Sequence, residues 1–216
     1  MENYTLTANY THGKKTARVY QKVFLKYHGR RGAYIGHITR AYADVSLKDL
    51  RAGIAWYARA QQTARAIHPN VLIGAGILAA LSPRTDWKHN KLYAERVARY
   101  ALDGQEYPPP CSTYDRLDKA WRIAQLSDPT ANDILAILHG PKTCRFFRNI
   151  IGDENAVTID VWSKRIATGW KDASNPLPGH DYDSLEQAYQ IAASRLGISP
   201  RDLQAALWCH VRGNSE

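Results

Sequence analysis

Residues 71–81 read Val-Leu-Ile-Gly-Ala-Gly-Ile-Leu-Ala-Ala-Leu, and they form the longest purely apolar run in the chain. A helix that is apolar on every side is typical of the centre of a globular core. The run is about half as long as a helix must be to cross a hydrocarbon layer of ~30 Å, so no membrane span is expected. The sequence therefore predicts a central buried helix, around which the remaining elements pack.

The segments around this run show helical rather than strand periodicity. Before Pro69, apolar residues recur at helical spacing: Leu50, Ile54, Tyr57, Ala58, Ala64 and Ile67. Further helices are predicted at about 87–102, 113–125, 129–138, 142–151, 161–168, 183–195 and 200–211. Three helix starts are predicted where a capping side chain precedes a proline: Ser82-Pro83, Asp128-Pro129 and Ser199-Pro200. Because strand patterns are weak, the chain is predicted to be all-α.

Charge is distributed unevenly along the chain. The 216 residues carry 29 Lys and Arg against 20 Asp and Glu, a formal net charge of +9. No acidic residue lies between Glu2 and Asp44, but this stretch contains several basic residues: Lys14, Lys15, Arg18, Lys22, Lys26, Arg30, Arg31 and Arg40. The remainder of the chain is nearly neutral. The excess charge therefore belongs to the N-terminal fifth.

This asymmetry predicts a basic N-terminal arm over residues 1–43, ahead of one domain that spans residues 44–216. Lysine and arginine neutralise phosphates, and interleaved tyrosines offer faces on which bases stack. The residues of the arm expected to contact DNA are Lys14, Lys15, Arg18, Arg30 and Arg31. The alternative is a solvated basic surface that keeps the protein soluble. Double-stranded DNA is the expected partner.

The three cysteines, Cys111, Cys144 and Cys209, are too few and too widely spaced for a disulfide framework or a cysteine-ligated metal site. Neither a metal nor a cofactor is expected. The first residues show no cationic segment followed by an apolar stretch, so no secretory signal is expected either. A monomer in a reducing cytoplasm is the expected state.

A helical hairpin is predicted at about 130–151. One helix ends near Leu138, His139-Gly140-Pro141 makes a short turn, and a second helix starts near Lys142. Farther on, Val157-Thr158-Ile159-Asp160 leads into the next helix, so Asp160 lies at a helix start. An aspartate there is ordinarily an N-cap, and a lysine in a first helical turn is ordinarily a solvated surface residue. Catalysis is the competing interpretation of both.

A family resemblance bears on that choice. Gly140-Pro141-Lys142-Thr143, with Asp160 eighteen residues beyond the lysine, resembles the helix-hairpin-helix (HhH-GPD) DNA glycosylase superfamily, which includes endonuclease III and 8-oxoguanine glycosylase. Residues 75–86, Ala-Gly-Ile-Leu-Ala-Ala-Leu-Ser-Pro-Arg-Thr-Asp, resemble the family's buried helix, Leu-Ser turn and Thr-Asp pair. The resemblance covers roughly residues 70–212. It implies a two-lobed all-α domain.

The chain also departs from the family pattern. The family's hairpin has Leu-Pro-Gly-Val-Gly before the lysine, whereas residues 136–140 here read Ala-Ile-Leu-His-Gly. Leu138 therefore stands at the first glycine, and the helix-hairpin-helix is degenerate. Trp162 stands where many members have a histidine. Neither departure affects Lys142 or Asp160.

The resemblance implies a DNA glycosylase that flips a damaged, mismatched or modified base out of the duplex. Asp160 would stabilise the positive charge that develops on the sugar, or take a proton from the nucleophile. Lys142 would be that nucleophile, since the positive end of a helix dipole favours the neutral amine. Attack by Lys142 gives a Schiff base, which adds AP lyase activity to base removal.

Other motif residues are expected to contact DNA. These residues are Ser82, Arg84 and Trp87 in the turn before the next helix, and His139, Gly140 and Thr143 in the hairpin. Arg84 and Trp87 are candidates for the wedge that fills the gap left by a flipped base. The alternatives are a phosphate contact for Arg84 and a core position for Trp87. Asn90 is expected to be structural.

Two alternative functions remain open. One is a DNA base-modifying transferase built on the same scaffold. The other is a non-catalytic DNA-binding module that has kept the fold and lost the reaction. The degenerate hairpin favours the binding module, whereas the retention of both Lys142 and Asp160 favours an enzyme.

Overall fold

The structure is a computed structural model, and it describes residues 31–169 and 179–213. This part of the chain is all-α, as predicted, and contains no strand. Its helices are α1 (Arg31–Ala43), α2 (Leu47–Ile67), α3 (Val71–Leu81), α4 (Trp87–Leu102), α5 (Tyr114–Ala124), α6 (Ala131–Leu138), α7 (Pro141–Ile150), α8 (Val161–Thr168), α9 (Gly179–Leu196) and α10 (Pro200–Arg212).

Helix α3 is the central buried helix that its composition predicts. Every residue from Ile73 to Leu81 is buried, and α2, α4, α5, α6 and α7 pack around it. Gly74 permits this packing, because a Cβ there would collide with the carbonyl oxygen of Ala64 on α2. The first hydrophobic cluster of the protein is centred on this helix.

A second hydrophobic cluster is formed by α1, α8, α9 and α10, together with the segment that leads into α8. Its largest fully buried side chains are those of Tyr182 and Tyr189, both on α9. Helices α2 and α10 run against each other so closely that a Cβ at Gly53 would meet the backbone of Ala206. This pair of helices joins the two clusters.

Helix α1 changes the outline of the predicted basic arm. Tyr34, Ile35 and Ile38 are buried in the second cluster, and the Arg31 guanidinium donates a hydrogen bond to Gln187 on α9 at 2.8 Å. Residues 31–43 therefore belong to the folded body. Charge alone placed them in the arm, although their apolar side chains recur at helical spacing. The remaining arm residues Lys14, Lys15, Arg18 and Arg30 lie outside the described residues.

Two of the three predicted helix starts are wrong. Ser199 caps α10 with Pro200 in its first turn, as predicted. In contrast, α4 is capped by Asp86 and α6 by Thr130, so the prolines at 83 and 129 lie in the preceding turns. Ser82 instead ends α3.

No single helix among the described residues is long and apolar enough to span a membrane. Helices α2 and α3 meet the requirements of length and apolar composition only as a pair, across a bend of 109°. Most of α3 is buried in the core, where its apolar side chains pack against the surrounding helices.

Candidate active site

A cleft of about 870 Å³ lies where the two hydrophobic clusters meet. It gathers candidate residues from separate parts of the chain: Ser82, Arg84, Trp87, His139, Gly140, Lys142, Thr143 and Asp160. Of the candidates in the described residues, Arg31 is the exception, because it contacts α9 and does not line the cleft. The motifs that the sequence singles out are thus brought together by the fold.

The hairpin turn on one side of the cleft is conformationally strained. Only His139 and Gly140 separate α6 from α7, and both have positive φ, +48° and +79°. A non-glycine residue in this region is uncommon and costs on the order of 1–3 kcal/mol. The Thr143 hydroxyl donates to the carbonyl oxygens of His139 at 2.6 Å and Gly140 at 3.1 Å. These bonds hold the turn in its strained form.

Leu138 is the residue at which the sequence departs from the predicted glycosylase resemblance. It is buried in the first hydrophobic cluster and does not line the cleft. The degenerate position is therefore used for core packing, and the turn surface is formed by the two residues that follow it.

Lys142 lies in the first turn of α7, beside the cleft. It is half-buried, and it forms no hydrogen bond or ion pair with residues 31–169 or 179–213. In particular, Lys142 and Asp160 form no ion pair with each other, although both line the cleft. The amine therefore has no partner in the part of the chain that the structure describes, and it lies at the positive end of a helix dipole.

Asp160 is held from two directions. It is the N-cap of α8, where Oδ1 accepts from the Ser163 amide at 2.8 Å and from the Ser163 hydroxyl at 2.9 Å. The predicted capping role is confirmed. The second oxygen, Oδ2, accepts from Nε1 of Trp208 on α10 at 3.0 Å. Capping needs only one oxygen, so the bond to Trp208 fixes the carboxylate beyond what the helix start requires.

Buried polar groups form hydrogen bonds around Ser163, the residue that donates to Asp160. Tyr57 donates to Gln204 Oε1 at 3.2 Å, and Gln204 Nε2 donates to the Ser163 hydroxyl at 3.3 Å. Burial, with a smaller contribution from the Asp160 charge, raises the pKa of both Tyr57 and Tyr189. Both tyrosines therefore remain protonated hydrogen-bond donors, and Tyr189 donates to the Ser163 carbonyl at 3.0 Å.

The extended segment before Asp160 is fixed by α9. The Tyr182 hydroxyl donates to the Val157 carbonyl and accepts from the Ile159 amide, both at 2.7 Å. Glu186 Oε1 accepts from the Val157 amide at 3.0 Å. The same buried Glu186 accepts from Nη2 of Arg145 on α7 at 3.0 Å. The helix that carries Lys142 and the segment that carries Asp160 are thus tied to one residue.

Aromatic rings make up much of the cleft wall. The Trp56 ring lies 5.3 Å from Trp87, 5.9 Å from Phe146 and 6.0 Å from Trp208, measured between centroids. Arg212 lies over two cleft rings, 5.2 Å from Trp208 and 5.8 Å from Trp162. Aromatic and guanidinium faces are the surfaces on which unstacked bases pack.

Arg84 lies in the turn between α3 and α4, and Trp87, the other wedge candidate, is the first residue of α4. Arg84 is exposed with φ +57°, and the Arg116 guanidinium fixes the turn by donating to the Pro83 carbonyl at 2.6 Å. Trp87 packs against Trp56 in the cleft wall, so it forms part of the wall rather than a projecting wedge. Arg84 is therefore the candidate that projects from the turn. The Ser82 hydroxyl is used within the fold, donating to Ala79 O at 2.9 Å.

The cleft contains cations from three elements and two carboxylates. The cations are Arg84, Lys142 and Arg212, and the carboxylates are Asp86 and Asp160. Asp86 forms hydrogen bonds with the backbone amide and the ring of His89, and these bonds hold the pKa of Asp86 below its usual range. Among the described residues, no three His, Cys, Asp or Glu side chains gather to hold a metal ion.

Several residues of the site have no signal in the sequence. Trp208, Tyr182 and Glu186 act on Asp160 or its segment through hydrogen bonds that span 23 to 48 residues along the chain. For Trp56 and Arg212, the sequence gives the residue type but does not predict that the side chain lines the cleft.

Comparison with known proteins gives one match. A model of a family of unknown function, DUF7178, matches residues 21–215. No curated protein and no solved structure matches the chain significantly. The resemblance to the helix-hairpin-helix glycosylases therefore stays a prediction from the motifs.

Proposed function

We propose that this chain, which belongs to the DUF7178 family of unknown function, is a DNA glycosylase that acts on a base flipped out of the duplex. One observation carries the proposal. A lysine with no partner among the described residues and a firmly held aspartate, from different elements, line the same tryptophan-walled cleft. A solvated surface lysine and an ordinary N-cap would not be expected to line one cleft.

Asp160 stabilises the transition state for base removal. As the bond between C1′ and the base nitrogen breaks, its electron pair leaves with the base and positive charge develops on the sugar. A carboxylate fixed by the fold stabilises that charge without reorganising during the reaction. The hydrogen bonds from Ser163 and Trp208 provide this fixation.

Lys142 is the nucleophile in the bifunctional form of the reaction. Its neutral amine bonds to C1′ as the base departs, and the amine gives up a proton. Opening of the sugar ring, with a proton taken up by its oxygen, leaves an imine between Nζ and C1′; loss of a proton from C2′ then forms the C2′–C3′ double bond and expels the 3′ phosphate. If water attacks C1′ instead, the enzyme is a monofunctional glycosylase and Lys142 acts as a positive charge.

The rest of the cleft supports DNA binding and base flipping. The exposed Arg84 is the wedge of the proposal, because it projects from a turn beside the cleft. Trp56, Trp87 and Trp208 offer stacking surfaces for the extruded base. The two hydrophobic clusters and the hairpin between α6 and α7 support the two-lobed helix-hairpin-helix fold, which is part of the same proposal.

A second candidate, a DNA base-modifying transferase, is favoured by the size of the cleft. Its volume of about 870 Å³ is near the upper end of the ~300–1,000 Å³ typical of small-molecule pockets. The cleft therefore has room for a nucleotide together with a second small substrate, which would supply the transferred group.

The test is a screen over duplexes of one sequence, each with a single damaged, mismatched or modified base. Products are separated before and after alkali, which cleaves abasic sites, and are weighed by mass spectrometry. Release of one base by the wild-type protein, but not by Asp160→Asn, supports the glycosylase. Binding of every duplex without release of any base supports the non-catalytic module. A gain in mass at a base, in the presence of a cell extract of small molecules, supports the transferase.

A further inference from the structure

Asn90 is a buried polar residue that the proposed reaction does not use. It lies on α4, lines the cleft and is 2% exposed. Its Nδ2 donates to the carbonyl oxygen of Leu78 on α3 at 3.2 Å. Its Oδ1 is buried and accepts no hydrogen bond from any residue in 31–169 or 179–213. Buried side-chain acceptors usually have a partner, so this oxygen requires an explanation.

The orientation of the amide follows from its one hydrogen bond. Reversing the amide would bring Oδ1 against the Leu78 carbonyl oxygen, and two acceptors would then face each other. The bond to α3 therefore fixes Nδ2 toward the core. The oxygen is left as the polar atom of a cleft-lining side chain that has no partner within the described residues.

Asn90 lies on the same helix as Trp87, one of the rings proposed to stack on the base. Trp87 and Asn90 are three residues apart on α4 and both line the cleft, so they share one face of the helix. Asn90 lies about one helical turn farther from the helix start than Trp87. A base that stacks against Trp87 would therefore have Asn90 beside it on the same face of the helix.

We propose that Asn90 Oδ1 reads the flipped base, by accepting a hydrogen bond from an N–H group on its edge. This inference rests on the proposed function only in that the cleft receives an unstacked base. The donor is an exocyclic amino group or a ring N–H, and both supply the same bond. Bases that present an acceptor at this position are disfavoured, because their lone pair faces that of Asn90.

The experiment measures affinity rather than turnover, so that it is independent of catalysis. Fluorescently labelled duplexes of one sequence carry a single unpaired nucleotide, and their binding is followed by anisotropy. Three pairs of bases each differ in one donor: adenine and purine, cytosine and 2-pyrimidinone, thymine and N3-methylthymine. A duplex with an abasic site at the same position is the reference. Wild type is compared with Asn90→Leu, which removes the acceptor at similar volume.

For at least one pair, the wild-type protein is expected to bind the donor-bearing base roughly threefold to tenfold more tightly than its partner, the range of one neutral hydrogen bond. Asn90→Leu should abolish that difference. The pair that shows the loss identifies the donor as an amino group or a ring N–H. If Asn90→Leu does not fold, Asn90→Ser is used, and the wild-type difference within each pair remains a test.

Two other outcomes separate the inference from the proposed function. If wild type favours unpaired bases over the abasic reference, but Asn90→Leu weakens both members of every pair equally, the inference is overturned and the proposed cleft stands. If wild type binds the abasic reference as tightly as every base, the cleft receives no base. Both the proposed function and the inference then fail.

Discussion

Asp160 is held by three hydrogen bonds at the start of α8, whereas Lys142, at the start of α7, has no partner among the described residues. The difference suits two kinds of chemistry. A group that stabilises charge works best when it is fixed in advance, because no reorganisation is then needed. A group that forms a bond must lose a proton and move to the carbon that it attacks. The two sides of the cleft thus divide into a rigid electrostatic side and a free nucleophilic side.

The rigid side is tested by Asp160→Asn, for which we expect the largest effect. The amide still accepts the hydrogen bond from the Ser163 amide, so α8 keeps its cap. Loss of the negative charge should lower the rate of base release about 10²–10³-fold, with DNA affinity little changed. The control is Asp86→Asn, which changes the other cleft carboxylate, also a helix N-cap. If the rate of base release falls equally in both variants, Asp160 has no catalytic role that Asp86 lacks.

The free side is tested by Lys142→Gln. Borohydride present during the reaction should trap a covalent complex of the wild-type protein with its substrate, and the variant should form none. Base release should fall by roughly 10²-fold, since the nucleophile is lost. Lys88→Gln, an exposed lysine on α4, serves as the control. If wild type releases base rapidly without an adduct, then water is the nucleophile and the lysine side of the comparison fails.

The support for the rigid side is tested by Tyr182→Phe. This variant removes the hydroxyl that joins the Val157 carbonyl to the Ile159 amide and leaves both buried groups with one partner fewer. The free energy of unfolding should fall by about 1–3 kcal/mol. Activity at a temperature where the variant is folded should also fall, roughly tenfold, because Asp160 is less well placed.

Tyr189→Phe is the matched control for this variant. It loses a buried hydroxyl that donates within α8, at Ser163, and not in the segment before Asp160. It should be destabilised to a similar degree while retaining more activity, as measured by urea unfolding and by base release. Equal losses of activity in the two variants would show that Tyr182 contributes stability alone.

The hairpin turn gives the smallest expected effect. Glycine adopts the positive φ of His139 without strain but loses more backbone freedom on folding, so the two contributions of His139→Gly nearly cancel. The free energy of unfolding should change by less than about 1 kcal/mol. His139→Val should be clearly destabilised, because a β-branched residue is poorly tolerated there. Thermal melting of the two variants decides whether the turn is strained as described.

The sequence predicts local structure well where the cause is local. The buried α3 and the bounds of α4 follow from apolar composition and helical periodicity, and the Asp160 cap follows from its place before an amphipathic helix. At the starts of α4 and α6, the proline and the capping side chain that follows it predict different first residues for the helix. There the side chains of Asp86 and Thr130 determine the boundary, and the prolines lie in turns.

The remaining features depend on contacts that no local pattern contains. The hydrogen bond from Trp208 to Asp160 joins residues 48 positions apart, and the one from Tyr182 to Val157 joins residues 25 apart. For α1, basic charge is conspicuous in the sequence, whereas its burial depends on a surface supplied by α8 and α9. The candidate pair Lys142 and Asp160 was accessible from motif spacing, but the groups that hold Asp160 were not.

The wall of the cleft also gives the protein a built-in optical signal. Of its six tryptophans, four line the cleft: Trp56, Trp87, Trp162 and Trp208. Trp121 lies on α5 and packs against Tyr107 instead. Much of the intrinsic emission therefore originates at the surface that would contact an extruded base, and stacking there should quench it. Occupancy of the cleft is thus measurable by fluorescence with unlabelled protein and unlabelled DNA.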